Sequence, residues 1–75
     1  MDRLNQLTNR EQQVLELVVE GKRNKEIAII LIITENTIES HLKSIFSKLG
    51  VSSRCQATAY FLKNTTSPTE NDGNP

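Results

Sequence analysis

The 75-residue chain balances nine Lys and Arg residues against nine Asp and Glu residues, and contains three Gly, two Pro, one His and one Cys. A chain this short forms one domain that buries only about 60% of its unfolded surface, which argues against a deep pocket. The scarcity of Gly and Pro predicts an all-helical domain, and the single His and Cys argue against an enzyme, a metal or cofactor site and a disulfide.

The two ends of the chain differ from its middle. Residues 1–6 form a lead-in without the apolar core of a signal peptide, and no segment approaches the roughly 20 apolar residues of a membrane span. Residues 64–75 contain no aliphatic or aromatic side chain, so we expect a disordered tail after a domain at 7–63. Residues 1–63 hold nine bases against seven acids, which is a weakly basic balance. With the unpaired Cys55, these features predict a cytoplasmic protein without membrane contact.

The first helix is predicted over 9–20. Thr8 and Glu11 have the spacing of a capping box, in which each side chain accepts a hydrogen bond from the backbone N–H of the other residue. Gly21 supplies a stop, because glycine adopts the left-handed conformation that ends helices. Three apolar residues between these signals share one face, namely Val14, Leu15 and Val18.

The second helix is predicted over 24–31, with Asn24 as its cap. Its buried stripe would be Ile27, Ala28 and Leu31. These residues belong to an apolar run over 27–33, which reads locally as a strand and is an aggregation hazard if exposed. The helical interpretation is favoured, because the flanking caps and helices agree with it. Two alternatives stay open for Ile29 and Ile30: an exposed patch for a partner, or additional burial.

The third helix is predicted over 35–49, between a Thr34 cap and the Gly50 stop, with Glu35 at the positive end of the helix dipole. At 100° per residue, one face is apolar and consists of Ile38, Leu42, Ile45, Phe46 and Leu49. The opposite face is polar and consists of Asn36, Glu39, Ser40, Lys43 and Ser47.

The polar face of the third helix carries short hydrogen-bonding side chains around one lysine. Such side chains can approach base edges in the major groove of DNA, where Lys43 can contact guanine O6 or N7 and Asn36 can pair with adenine. An ordinary solvated surface would also explain the pattern. His41 lies at the margin of the apolar face, and a packing role is favoured over a functional one.

A fourth helix is predicted over 53–63. Ser52 or Ser53 can cap its start, and its buried side would draw on Ala57, Tyr60 and Phe61. Upstream, the second and third helices are separated by about three residues, 32–34, and the longer third helix is polar outward. This arrangement is typical of a helix-turn-helix, whose second helix enters the major groove. The candidate phosphate contacts are Arg23, Lys25, Thr34, Thr37, Ser47, Lys48 and Arg54.

The chain resembles the LuxR-type helix-turn-helix domain, also called the NarL/FixJ type, from Leu7 to about Leu62. Several spaced blocks in the right order make the resemblance specific. The blocks are Leu7-Thr8-x-Arg10-Glu11-x-x-Val14-Leu15, Gly21-x-x-Asn24-Lys25-Glu26-Ile27-Ala28, Thr37-Ile38-x-x-His41-Leu42, and Lys48-Leu49-Gly50-Val51-x-Ser53-Arg54-x-x-Ala57.

The resemblance implies a four-helix transcription regulator or the output domain of a response regulator. Its third helix would read double-stranded DNA, and its fourth helix would form a homodimer on a two-fold site. RNA polymerase or a receiver domain would be a further partner. By position, the resemblance implies base-facing roles for Asn36, Glu39, Ser40 and Lys43.

The chain departs from the family pattern at three places. Glu39 stands where lysine is frequent, so it either reads a cytosine amine or weakens DNA binding. Asn9 replaces a common proline at little cost. Ile29 and Ile30 replace polar or basic residues. Together with the near-zero net charge, Glu39 also supports an alternative, namely a helix-turn-helix fold used for protein interaction with weak or no DNA binding.

Overall fold

The structure, a computed structural model, describes residues 3–65, and the side chains to residue 64. A short 3-10 helix at Arg3–Gln6 precedes four α-helices, and the part described contains no strand. The predicted all-helical class is confirmed. Of the tail predicted to be disordered, 64–75, residues 64 and 65 instead belong to the last helix, and 66–75 fall outside the described residues. None of the described helices is long and apolar enough to cross a membrane. The helices are α1 (Asn9–Val19), α2 (Asn24–Leu31), α3 (Glu35–Leu49) and α4 (Arg54–Thr65).

The helix boundaries follow the capping signals in the sequence. Thr8 Oγ1 accepts from the Glu11 backbone N–H at 3.1 Å, and the Glu11 carboxylate accepts from the Thr8 N–H at 3.0 Å, so the predicted capping box is confirmed. Gly50 directly follows α3 with φ +73°, and Gly21, the second residue after α1, has φ +91°. At the start of α4, Ser53 Oγ accepts from the Gln56 N–H at 3.1 Å. Local hydrogen bonding therefore sets these boundaries.

The prediction that Asn24 caps α2 is wrong. The cap position is Arg23, whose backbone N–H donates to the Glu26 carboxylate at 2.8 Å, and Asn24 is the first helical residue. The Asn24 side chain instead accepts a hydrogen bond from Arg54, thirty residues further along the chain. The local pattern assigned the Asn24 side chain to the helix cap, but this side chain bonds to Arg54 instead.

The core forms where α3 packs against α1 and α2 while α4 packs against α1. The predicted apolar stripes of α1 and α3 are buried, except that Phe46 is half-buried, and Tyr60 and Phe61 of α4 are partly buried against the core. Sequence reasoning missed the 3-10 helix, which adds a buried Leu4. The buried apolar residues are Leu4, Leu7, Val14, Leu15, Val18, Ile27, Ala28, Ile38, Leu42, Ile45, Leu49 and Ala57.

The apolar run over 27–33 forms the end of α2 and the turn before α3, and it is only partly buried. Ile29, Ile30 and Ile32 are 68%, 49% and 88% exposed. Of the two alternatives for Ile29 and Ile30, the structure therefore supports an exposed patch. A cluster of exposed isoleucines on a small domain indicates a surface that another molecule covers or an aggregation hazard.

Ile32 follows α2 in the left-handed conformation, with φ 60° and ψ 50°. A β-branched residue rarely adopts this conformation, which costs roughly 1–2 kcal/mol because Cβ crowds the backbone. Ile32→Asn should therefore raise the free energy of unfolding by about 1 kcal/mol, and the melting temperature by about 4–8 °C. Thermal unfolding followed by circular dichroism measures the shift.

The matched control for Ile32→Asn is Ile29→Asn, which makes the same exchange at an exposed position with helical backbone. This control should give no gain, since asparagine is not a better helix former than isoleucine. Equal effects of the two exchanges would show that solvation of the side chain, not the left-handed backbone, determines stability at residue 32.

Candidate nucleic-acid interface

The outward face of α3 is the predicted polar face. All five of its residues are exposed, while the opposite side of the helix supplies four buried core residues. The core therefore fixes the direction in which this face points. The five residues that the structure brings together on it are Asn36, Glu39, Ser40, Lys43 and Ser47.

The start of α3 carries two threonines that were predicted to contact phosphate. Thr34 Oγ1 accepts from the Thr37 backbone N–H at 3.2 Å, and the two hydroxyl oxygens lie 2.9 Å apart. The Thr34 hydroxyl thus caps the helix, the Thr37 hydroxyl is hydrogen-bonded to it, and the first N–H groups of the helix form the positive end of its dipole. Phosphate contact by these groups stays a prediction.

Lys48, another predicted phosphate contact, forms the one ion pair found within residues 3–64. Its ammonium lies 2.7 Å from Glu11 Oε1, and Ser44 Oγ donates to the other carboxylate oxygen at 2.7 Å. Burial by itself would raise the pKa of Glu11. The hydrogen bonds from Lys48, Ser44 and the Thr8 N–H, with the charge of Lys48, outweigh burial and lower this pKa to about 2. Lys48 therefore has a structural role that joins α3 to α1.

Arg54 also has partners inside the domain. Its guanidinium donates to Asn24 Oδ1 at 2.6 Å and to the Lys22 carbonyl oxygen at 2.7 Å. These bonds fix the start of α4 beside the start of α2, at a cleft of about 530 Å³ that Arg23 and Cys55 also line. Since a guanidinium has five donors, N–H groups of Arg54 stay available for a phosphate.

Three cations differ from Lys48 and Arg54 in their surroundings. Arg23, Lys25 and Lys43 are exposed, and within residues 3–64 their side chains form no hydrogen bond or ion pair. An exposed cation without an internal partner can neutralise a phosphate or donate to a base without breaking a bond in the domain. Of the predicted cationic contacts, these three require the least rearrangement.

The residues suited to other chemistry are isolated from one another. Over the described part of the chain, no three His, Cys, Asp or Glu residues lie close enough to hold a metal ion. Cys55 is exposed and His41 is half-buried beside the core face of α3. The described surface is therefore suited to hydrogen bonding, through the outer face of α3 and the cations beside it.

Sequence reasoning missed that Glu11 joins helices as well as capping α1. The available signal was the spacing of Ser44 and Lys48, which are four residues apart and therefore share a helix face. That spacing indicates a common partner but does not identify it.

Comparison with known proteins identifies a family for this chain. Residues 5–61 match the family model described as "Bacterial regulatory proteins, luxR family". The spore germination protein GerE of Bacillus subtilis (strain 168) is 46% identical over 57 residues, which are 76% of this chain and 77% of GerE.

Two longer regulators are also similar. The transcriptional regulatory protein LiaR of Bacillus subtilis (strain 168) is 50% identical over 58 residues, which are 77% of this chain and 28% of LiaR. The nitrate/nitrite response regulator protein NarP of Escherichia coli (strain K12) is 44% identical over 57 residues, which are 76% of this chain and 26% of NarP. The matched part of the chain thus spans about a quarter of these two relatives. Because the family model covers most of the chain, the protein belongs to the luxR family of bacterial regulatory proteins.

Proposed function

We propose that this domain binds specific sequences in double-stranded DNA and so regulates transcription, with α3 in the major groove. The observation that carries the proposal is the exposed outer face of α3. This face presents amide, hydroxyl, carboxylate and ammonium groups on a helix whose opposite face is buried in the core. The similarity of the chain to proteins named as transcriptional regulators gives the proposal independent support.

In the proposed complex, Asn36, Glu39, Ser40 and Lys43 face the bases. Backbone phosphates are contacted by the start of α3 and by the surrounding cations. Among the cations, Arg23 and Lys25 are the main proposed phosphate contacts, because their side chains have no partner within the described part of the domain. Lys48 and Arg54 would contact phosphate in addition to their structural roles. The remaining phosphate candidates are Thr34, Thr37 and Ser47.

We further propose that two copies of the domain form a homodimer through α4, and that this dimer binds a two-fold DNA site with both copies of α3. The outer side of α4 carries Cys55, Ala59 and Leu62, which are exposed and share a face at i, i+4 and i+7. Small and apolar side chains there suit a helix-to-helix contact without a desolvated charge. RNA polymerase or a receiver domain is a further proposed partner, and the cytoplasm is the proposed compartment.

The proposed function can be tested by selection from a random duplex pool, followed by affinity measurements at two salt concentrations. We expect an inverted repeat with half-sites about 10 base pairs apart or a multiple of that spacing. Affinity for the selected site should fall steeply with salt, since each neutralised phosphate contributes a slope of about −0.9. Absence of enrichment at low salt would contradict the proposal.

Lys43→Ala should remove discrimination at one base pair of the selected site. We expect a loss of roughly 1–3 kcal/mol in binding free energy for that sequence and a much smaller loss on scrambled DNA, because the lysine donates to guanine O6 or N7. Fluorescence anisotropy with the selected site and its single-base variants measures this change.

The matched control for Lys43→Ala is Lys25→Ala, which removes an exposed cation outside α3. The control should weaken binding to all sequences about equally and lower the salt slope by about 1. Uniform losses from both variants would contradict the assignment of Lys43 to a base. Arg54→Ala is a poor control because it also removes the two bonds that fix the start of α4.

A protein-interaction module is the second candidate function. The exposed isoleucines of α2 and the absence of net charge favour it. Under this alternative, any DNA binding would be weak and nearly independent of salt and sequence. The selection experiment thus separates the two functions.

A further inference from the structure

Glu39 lies in the second turn of α3, at one edge of the outer face and next to Lys43 on that face. Its side chain is exposed, and no cation among residues 3–64 forms an ion pair with it. Lys43 is one turn further along the same stripe, at the i+4 spacing that permits a pair. No such pair forms among the described residues, and both Glu39 and Lys43 are exposed.

A carboxylate in this position weakens DNA binding unless a base donates a hydrogen bond to it. Entering the major groove brings it toward two rows of phosphates of the same charge and removes some of its water. An ionised carboxylate only accepts hydrogen bonds. The exposed base edges offer two amine donors, cytosine N4 and adenine N6, whereas guanine and thymine present acceptors that repel it.

Cytosine is the better partner of the two. Adenine N6 lies beside the N7 acceptor, so a carboxylate that approaches N6 also meets the lone pair of N7. Cytosine N4 has no acceptor beside it on the major-groove edge of its own base. The guanine paired with that cytosine presents O6 and N7, the acceptors that suit the ammonium of Lys43.

The spacing of the two side chains fits this chemistry. Four residues of helix span about 6 Å along the axis, which is less than the rise of two base pairs at 3.4 Å each. Glu39 and Lys43 can therefore meet the two members of one base pair, or two adjacent pairs. Their opposite charges match the amine donor of cytosine and the acceptors of guanine.

We infer that Glu39 is a specificity determinant that selects cytosine through its N4 amine, at or next to the guanine contacted by Lys43. The inference rests on the proposed function and deepens it, because it names the base that one residue reads. Glu39 thereby lowers the affinity of the domain for DNA in general and increases its discrimination between bases at one position.

The experiment compares the wild type, Glu39→Gln and Glu16→Gln on the site selected by the wild type and on the same site with the preferred cytosine replaced by thymine. Where the guanine paired with that cytosine is the one that Lys43 contacts, all three proteins carry Lys43→Ala, so that the loss of this guanine does not contribute to the measured preference. Glu16→Gln removes an exposed carboxylate from α1 and controls for the change in net charge. We expect the wild type and the control to prefer cytosine roughly tenfold, and Glu39→Gln to prefer it less than threefold. Thermal unfolding verifies that the variants are folded.

Three results would overturn the inference while leaving the proposed function intact. The selected site could lack a preferred cytosine, Glu39→Gln could keep the full preference, or Glu39→Gln could strengthen binding equally on every sequence. The last result would show that the carboxylate only repels phosphate. A wild type that enriches no sequence would instead contradict the proposed function, and the inference with it.

Discussion

Glu11→Ala should lower the free energy of unfolding at pH 7 by about 2–3 kcal/mol, a large part of the stability of a domain this small. The exchange removes half of the capping box of α1 and leaves Lys48 and Ser44 without their acceptor. The loss stays below that of a fully buried ion pair, because the Lys48 side chain is 32% exposed and recovers some water. Urea denaturation followed by circular dichroism measures the change.

The same carboxylate predicts how stability depends on pH. Its pKa is lowered from 4.5 to about 2 in the folded protein, so folding favours the ionised form. The resulting stabilisation, on the order of 2–3 kcal/mol after allowing for solvent around Lys48, is fully present above about pH 4.5. It is lost as the pH falls through about 2. Urea denaturation between pH 2 and 6 should show this decline in the wild type and a smaller decline in Glu11→Ala.

The matched variant for Glu11 is Glu11→Gln, which keeps an acceptor for the Thr8 N–H and removes the charge. It should retain part of the capping and, like Glu11→Ala, show a smaller decline in stability toward low pH than the wild type. A double-mutant cycle of Glu11→Gln with Lys48→Met isolates the energy of the ion pair. A coupling energy near zero, with unchanged acid sensitivity, would contradict the role assigned to this pair.

Ile38→Ala should lower the free energy of unfolding by about 2–5 kcal/mol. Ile38 is fully buried in the core beneath the outer face of α3, where truncation leaves a cavity in addition to lost burial. We expect partial unfolding at room temperature in a domain of this size, and loss of DNA binding through unfolding rather than through a lost contact. Equilibrium urea denaturation gives the loss of stability directly.

Two controls test the assignment of Ile38 to the core. Ile38→Val should cost about 0.5–1.5 kcal/mol, because it removes one methylene group. Ile29→Ala makes the larger exchange at an exposed position of α2 and should change stability by less than about 0.5 kcal/mol. Similar costs for Ile38→Ala and Ile29→Ala would contradict the packing of α3.

The local features of the fold could be predicted from the sequence. The Thr8 and Thr34 caps, the glycine stops and the apolar stripes located the four helices within one or two residues. Each signal acts between residues three or four apart, so spacing along the chain is enough to reveal it. For the same reason, the outer face of α3 could be assigned before its surroundings were known.

Contacts between distant residues were decided only by the tertiary structure. The sequence did not show that Lys48 reaches Glu11, or that Arg54 takes the side chain of Asn24 from its expected capping role. Nor could the apolar run show that Ile32 would be exposed in a left-handed conformation. Hydrophobic spacing fixes which face of a helix turns inward, but the partners of a polar side chain depend on how the helices pack together.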